Sequence, residues 1–195
     1  MSALSVVGWT ACGPAEAVVD PWVPLTVRWN SGEARGSLTM MVEGTAGGRV
    51  ELMVDRVDGA LKRLVVLHTG PEVASHGDGF DLVAEAPCTP RFDLGPWGSN
   101  GSADIPEPKL SAIDTTAELS YSVIGEVHVV RFSGRPAARH MAGGSVVFGL
   151  SEEDVLIEVV FRAVQQGMTG IPRALTAQAS RNSVFRRFVR RSAGR

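Results

Sequence analysis

The sequence predicts a mainly β protein of the α+β class, an antiparallel β-meander sandwich with a C-terminal helix. Several short segments alternate apolar and polar residues with a period of two, as Leu25 to Trp29 does. The turn Asp58-Gly59 between two apolar runs is typical of a β-hairpin over residues 47–67. A looser copy of that hairpin at 143–161 indicates that the sandwich contains two similar halves.

Residues 1–70 are predicted to form the first β-meander. A first strand is expected at residues 4–10, where an apolar run precedes a break at Gly13-Pro14. Alternating strands follow at 25–29 and 37–43, and the hairpin completes the meander.

Residues 71–117 are predicted to be a connecting loop rich in proline and glycine. This segment holds six prolines, and only residues 80–85 read as a short strand. Connections of this length without regular structure are usually functional loops or linkers. We therefore expect the segment to wrap over the sheet or to carry a binding site.

Residues 118–167 are predicted to form a second β-meander packed on the first. Its last element is ambiguous, because the acidic residues after Ser151 have the spacing of a helix capping box and a helix over 152–166 is viable. The β-branched run that begins at Val155 and the parallel with the first hairpin favour a strand instead. The sequence therefore predicts a strand there.

Residues 168–195 are predicted to be a basic helical tail. Pro172 is well placed to start a helix, and a second amphipathic pattern follows Ser183. Its apolar residues and its arginines occupy opposite arcs of a helix. The tail residues that we expect to contact a partner are Phe185, Arg186, Arg187, Phe188, Arg190 and Arg191.

Charge is distributed unevenly along the chain. The net charge is -2, but residues 1–161 carry -10 and residues 162–195 carry +8. A basic end on an acidic body has two physical interpretations: it folds onto the body, or it binds an external polyanion. The excess of arginine over lysine, 17 to 2, is typical of a GC-rich bacterial genome, so the arginines alone do not prove selection for binding.

The cysteine content and the N-terminus favour a cytoplasmic protein. Two cysteines, Cys12 and Cys88, are too few for a disulfide framework, and one bridge between them remains open. The N-terminus has no basic residue before its apolar part, as a signal peptide would. No window approaches the roughly 18 apolar residues of a membrane span.

A metal site is the first chemistry to consider. His68, His76 and Asp78 are close in sequence and carry donors that zinc accepts. Their spacing matches no closed zinc site, and Gly-Asp-Gly is an ordinary turn. We treat the three residues as weak metal candidates and expect no cofactor.

Catalysis by histidine or cysteine is the second chemistry. An unperturbed histidine titrates near neutral pH, so His128 and His140 are candidate bases, although packed or solvated histidines are commoner. Cys88 is a candidate nucleophile, with His68 or His76 and Asp93 as its nearest approach to a triad. These residues would support a hydrolase, which is one alternative function. The sequence has no GxSxG, P-loop, GxGxxG or HExxH motif.

Aromatic residues point to protein contacts instead. Trp22, Trp29, Trp97 and Phe92 could share an aromatic surface, although tryptophan in a small β-domain usually packs in the core. Trp97 lies in a Gly-Pro-Trp-Gly loop without local periodicity, so the sequence predicts that it anchors an interface.

The sequence therefore predicts a non-enzymatic protein that binds another protein, of the immunity, adaptor or assembly-component type. The alternative to docking of the tail on the body is binding of nucleic acid or of an anionic membrane. A homo-oligomer is left open.

Overall fold

The computed structural model describes residues 3–19, 22–30, 36–71, 87–98 and 111–162. Within these ranges the regular structure consists of strands and one 3-10 helix, Gly95–Trp97, so the prediction of a mainly β protein is confirmed. In chain order the strands are β1 (Val6–Ala11), β2 (Ala15–Val18), β3 (Leu25–Trp29), β4 (Ser37–Gly44), β5 (Arg49–Asp55), β6 (Leu61–His68), β7 (Cys88–Phe92), β8 (Ala112–Ala117), β9 (Ser120–Ile124), β10 (Val127–Arg131), β11 (Arg139–Gly143), β12 (Val146–Leu150) and β13 (Leu156–Arg162).

The first large sheet has six strands in the order β2-β3-β6-β5-β4-β8. The predicted hairpin is its centre, where β5 and β6 pair antiparallel across the turn before Gly59. The edge strand β8 pairs with β4 in parallel, opposite Thr39 to Gly44. This parallel pair departs from the predicted antiparallel meander, and it lies in the segment 71–117 that we expected to be irregular.

The second large sheet has five antiparallel strands in the order β11-β12-β13-β10-β9. The prediction of a strand rather than a helix after Ser151 is confirmed, since residues 156–162 form β13. This strand lies at the centre of the sheet, and all its residues except Arg162 are buried. Burial on both faces suits its Val and Ile residues, which pack well on a pleated surface.

The two halves of the chain are alike in one hairpin but not in strand order. The hairpin β12–β13 corresponds to β5–β6, as predicted. However, β9 pairs with β10, whereas its counterpart β3 pairs with β2 and β6 and not with β4. Alternation of apolar and polar residues indicates which face of a strand is buried, but it does not specify which strand is the neighbour.

A single large core lies between the two sheets, which form a β-sandwich. Alternate residues of β3, β4, β5 and β6 point into it from the first sheet, and alternate residues of β10, β12 and β13 meet them. The ring of Phe148 on β12 lies 5.6 Å from that of Trp9 and 5.8 Å from that of Trp29. Trp29 is thus a core residue, as tryptophan in a small β-domain usually is.

A two-stranded ribbon of β1 and β7 joins the turns of the two sheets. The backbone N–H of Phe92 donates to the carbonyl oxygen of Gly59 at 2.9 Å, in the β5–β6 turn. The N–H of Val6 donates to the carbonyl oxygen of Asp154 at 2.8 Å, in the β12–β13 turn. Gly59 has φ of +75°, and a Cβ there would lie 2.2 Å from the Phe92 oxygen, so the close approach requires glycine.

The β5–β6 turn is held by a buried ion pair. The ammonium of Lys62 lies 2.6 Å from Oδ2 of Asp55, and the N–H of Val57 donates to Oδ1 at 2.7 Å. Burial raises the pKa of the Asp55 carboxyl, but Lys62 and the backbone donors outweigh it, so the pKa lies below its usual range. The carboxylate therefore stabilises the turn that receives the ribbon.

Candidate functional site

Trp97 is a core residue. Its side chain has no exposed surface, and its indole N–H donates to the carbonyl oxygen of Thr39 on β4 at 3.1 Å. The 3-10 helix turns the ring inward, where it joins the core with Phe92 and Leu94. The expectation that Trp97 stands exposed as an interface anchor is therefore wrong. A loop without periodicity can still bury its one large side chain when a tight turn directs it to the core.

The proposed aromatic surface is not formed, because its members lie in different environments. Trp29, Trp97 and Phe92 are buried, whereas 90% of the Trp22 side chain is exposed. Trp22 lies in the connection between β2 and β3, which also contains Val19 with 43% of its surface exposed. Of the four aromatic candidates, Trp22 is thus the one that a partner could contact.

The metal candidates are only partly visible in the structure. His68 is exposed at the end of β6, while His76 and Asp78 lie outside the described residues. In the ranges that the structure covers, no group of three or more His, Cys, Asp and Glu side chains is arranged to hold a metal ion. The weak metal prediction for residues 68–78 stays a prediction.

Cys88 and His68 are too far apart to act together. The hydroxyl of Thr89, the neighbour of Cys88, donates to the carbonyl oxygen of Leu61 at the start of β6. His68 ends that strand, about 23 Å away at the usual rise of a strand. The carboxylate of Asp93 accepts from the N–H of Gly95 at 2.9 Å. The predicted triad of Cys88, His68 and Asp93 is therefore not assembled, and its variant with His76 lies outside the described residues.

The two cysteines are neighbours across the ribbon. Cys88 is opposite Ala11 in the ladder, and the N–H of Cys12 donates to the carbonyl oxygen of Pro87. No disulfide joins them, and the Cys88 thiol donates to the carbonyl oxygen of Ala142 at 3.5 Å. Burial and the nearby Cys88 raise the pKa of the Cys12 thiol to about 11, so this thiol is protonated and a poor nucleophile at neutral pH.

His128 belongs to a buried pair on the core face of the second sheet. Its Nδ1 lies 2.6 Å from the hydroxyl of Tyr121, and its ring stacks on Phe161 with centroids 5.3 Å apart. Burial lowers the pKa of His128 and raises that of Tyr121, so both side chains are neutral near pH 7. Nδ1 of the neutral imidazole accepts a hydrogen bond from the Tyr121 hydroxyl, and Nε2 carries the imidazole proton.

This pair predicts a loss of stability in acid. Because the folded protein holds the pKa of His128 below 6.5, the unfolded chain binds the proton more readily, and the free energy of unfolding should fall as pH drops below 6.5. Uptake of one proton can change the free energy of unfolding by at most about 1.4 kcal/mol per pH unit. Urea unfolding between pH 5 and pH 7.5 measures it.

A His128→Gln variant isolates that contribution, because every other titrating group is unchanged. We expect its unfolding free energy to depend less on pH than that of the wild type. Parallel pH profiles for the two proteins would show that His128 does not couple protonation to folding.

His140 belongs to a second polar cluster, on the opposite face of the same sheet. Glu158 on β13 is 5% exposed; its Oε2 lies 3.0 Å from Nε of Arg131, and its Oε1 lies 2.9 Å from Nε2 of His140. Gly149 makes room for this arrangement, because a Cβ there would lie 2.6 Å from Cγ of Glu158. The carboxylate thus links strands β10, β13 and β11, with β12 beneath it.

This cluster is better suited to structure than to catalysis. Both oxygens of Glu158 are hydrogen-bonded within the sheet, so the carboxylate orients the imidazole of His140. A His–carboxylate pair can act as a base only beside a nucleophile or a bound water. The recorded hydrogen-bond partners of the Glu158 carboxylate are Nε of Arg131 and Nε2 of His140, and neither is a hydroxyl or thiol nucleophile.

A groove beside the β12–β13 turn is open and chemically mixed. It has a volume of about 630 Å³ and lies between the segment 133–138 and the β12–β13 turn. Its charged lining residues are Arg135, Glu152 and Glu153, and all three are exposed. Enzyme sites usually gather a few polar groups in an apolar, enclosed cleft. This groove does not have that character.

Sequence reasoning missed the features that the fold brings together from distant segments. Glu158, Arg131 and Tyr121 carry no motif, and only strand pairing places them beside the two histidines. The exposed Val123 and Ile124 on β9 were also missed, because the strand itself looks ordinary. The tail residues predicted to contact a partner (Phe185, Arg186, Arg187, Phe188, Arg190 and Arg191) lie outside the described residues.

Comparisons with known proteins add no assignment. In the described part of the chain, no helix has the length and apolar character needed to span a bilayer. The chain matches no protein-family model and no curated protein sequence.

Proposed function

We propose that the protein is a non-enzymatic binding module that acts through contacts with another protein, as an immunity, adaptor or assembly-component protein would. The observation that carries this proposal is the exposure of Trp22. Tryptophan is enriched among the residues that dominate binding energy, because it offers a large, rigid surface. A side chain that is 90% exposed, in a connection that also exposes Val19, is a strong candidate for such a contact.

The titratable groups support the same proposal. Glu158 is bonded on both oxygens, His128 is bonded to Tyr121, and the Cys12 thiol has a raised pKa. Each group has a structural explanation that leaves no unexplained reactivity. A binding role therefore explains the described residues more simply than hydrolase activity does.

The experiment compares capture of a partner by matched variants. Tagged wild-type protein, Trp22→Ala and Val7→Ala are expressed in the source organism, and co-purified proteins are identified by mass spectrometry. Val7 is the control, because it is 61% exposed but lies on β1 in the ribbon. We expect one protein to be recovered with the wild type and with Val7→Ala, and at least about tenfold less of it with Trp22→Ala.

Calorimetry with the purified partner then gives the change in Kd. Recovery of no specific protein by the wild type would overturn the proposed function. Equal recovery by Trp22→Ala would remove Trp22 as its anchor.

A cytoplasmic location fits this proposal. Two cysteines are too few for the disulfide framework that is typical of small secreted proteins. The preference for arginine over lysine fits a bacterial source. Binding of nucleic acid or an anionic membrane by residues 168–195 stays a prediction, favoured by the eight arginines from Arg162 onward.

A further inference from the structure

We propose that the free edge of β9 binds an extended segment of a partner protein by strand addition. This inference rests on the proposed function, but the edge of β9 is a different surface from that around Trp22. In strand addition, backbone hydrogen bonds supply affinity and pockets for alternate side chains supply specificity. Strand addition therefore requires an open backbone edge, an edge that is not protected against pairing, and a pocket for a side chain.

The open edge follows from the register of the β9–β10 hairpin. Ile124 and Val127 are partners on either side of the two-residue turn Gly125-Glu126. The pair that flanks such a turn exchanges both of its hydrogen bonds, and hydrogen-bonded pairs alternate along the ladder. The N–H and C=O groups of Val123 and Tyr121 therefore point away from β10. Among the described strands, β10 is the only one paired with β9.

The edge of β9 also lacks the usual protection against pairing. Proteins commonly guard edge strands with charged residues or proline. The other three edges of the two large sheets carry charged residues: Glu16 on β2, Asp114 on β8 and Arg139 on β11. The sequence of β9 is Ser-Tyr-Ser-Val-Ile, without charge or proline. Moreover, Val123 is 47% exposed and Ile124 is 36% exposed.

A groove lies beside this edge. It has a volume of about 250 Å³ and is lined by Thr69 and Gly70 on one side and by Tyr121, Ser122 and Val123 on the other. Gly70 approaches the chain just before β9, where a Cβ would lie 2.8 Å from the carbonyl oxygen of Leu119. This approach limits the groove at the start of β9. A strand added along the edge would therefore place one of its side chains in the groove.

The size of the surface favours a peptide segment over a second copy of this chain. β9 has five residues, whereas a standard stable interface uses about 20–30 residues on each side. Pairing of β9 with β9 of another copy would also not match a particular side chain to the groove. A peptide with apolar residues at alternate positions can use the edge and the groove together.

The test uses a synthetic probe, a six-residue peptide that alternates valine and threonine, with blocked ends and a fluorescent label. Two modified versions carry N-methyl groups on the valines or on the threonines, so that each removes the hydrogen-bond donors of one edge of the peptide. Binding is followed by fluorescence anisotropy and by NMR shifts of the protein's backbone amides. We expect the unmodified peptide to shift the amides of Tyr121 and Val123.

We also expect one N-methylated version to bind at least about tenfold more weakly, while the other keeps its affinity. Val123→Pro, which removes one outward N–H from the edge, should weaken binding, and Val123→Thr, which keeps that N–H, should not. If Val123→Pro fails to fold, the two N-methylated peptides still decide the question.

Three results would overturn the inference: no shift at Tyr121 and Val123 at millimolar peptide, equal binding of both N-methylated peptides, or self-association of the protein through β9. These results leave the proposed function standing if a partner is still captured in a Trp22-dependent manner. Conversely, if the peptide binds at β9 but the wild type captures no protein from cells, the proposed function is overturned while strand addition at β9 stands.

Discussion

Replacing Trp97 by alanine should lower the free energy of unfolding by about 3–5 kcal/mol. Trp97 is fully buried, and its removal would leave a cavity between the 3-10 helix and the first sheet. The carbonyl oxygen of Thr39 would also lose the indole donor that lies 3.1 Å away. Urea denaturation of the purified protein at constant pH measures the change through the midpoint and the slope.

Trp22→Ala is the matched control, because it makes the same chemical change at an exposed position. We expect its stability to stay within about 0.5 kcal/mol of the wild type. The two variants thus separate the roles of the two tryptophans, one in folding and one in binding. A cost for Trp97→Ala no larger than that for Trp22→Ala would contradict the burial of Trp97.

Replacing Glu158 by alanine should lower the free energy of unfolding by about 3 kcal/mol, since breaking a buried pair by removing one partner is strongly destabilising. Arg131 would remain between strands with its Nε–H unpaired, and His140 would lose the acceptor for Nε2. Because Arg131 is partly exposed, we expect the loss in unfolding free energy to be no larger than this. Thermal and urea unfolding measure it.

Glu152→Ala is the control, because Glu152 is an exposed acid in the turn that precedes the same strand. We expect that variant to differ little from the wild type. In a second variant, Glu158→Leu together with Arg131→Met replaces the pair by apolar side chains and should recover much of the stability. Equal stability of Glu158→Ala and the wild type would show that the cluster contributes nothing to the sheet.

The strands that could be predicted are those with local periodicity. β3 and β5 alternate cleanly, β6 is an apolar run after the Asp-Gly turn, and the β-branched residues of β13 outweighed the capping signal after Ser151. β7 was missed because it contains Pro90, which usually ends a strand. That proline is opposite Trp9 in a two-stranded ribbon, where an N–H on the outer side is not needed. β8 was missed because it follows a proline-rich stretch and pairs across a long connection.

The candidate sites were harder to predict than the strands, since they depend on contacts between distant segments. Nothing local shows that the loop around Trp97 turns inward or that Trp22 stays outside. Nor does the spacing of His140, Arg131 and Glu158 indicate one cluster, because three strands from separate hairpins meet there. The sequence pointed to His128, His140 and Trp97, but strand pairing and packing decided what each of them contacts.

The ribbon between the two sheets has a consequence for the order of folding. Ser5, just before β1, forms a bridge with Val155, and β1 itself pairs with β7, so this segment contacts residues that are far away in the sequence. During synthesis, Leu4 and Val6 have no complete binding site until the β12–β13 turn has left the ribosome. β1 is therefore synthesised before the strand and the turn that it contacts, and a nascent chain exposes this apolar segment until β7 and the β12–β13 turn have been made.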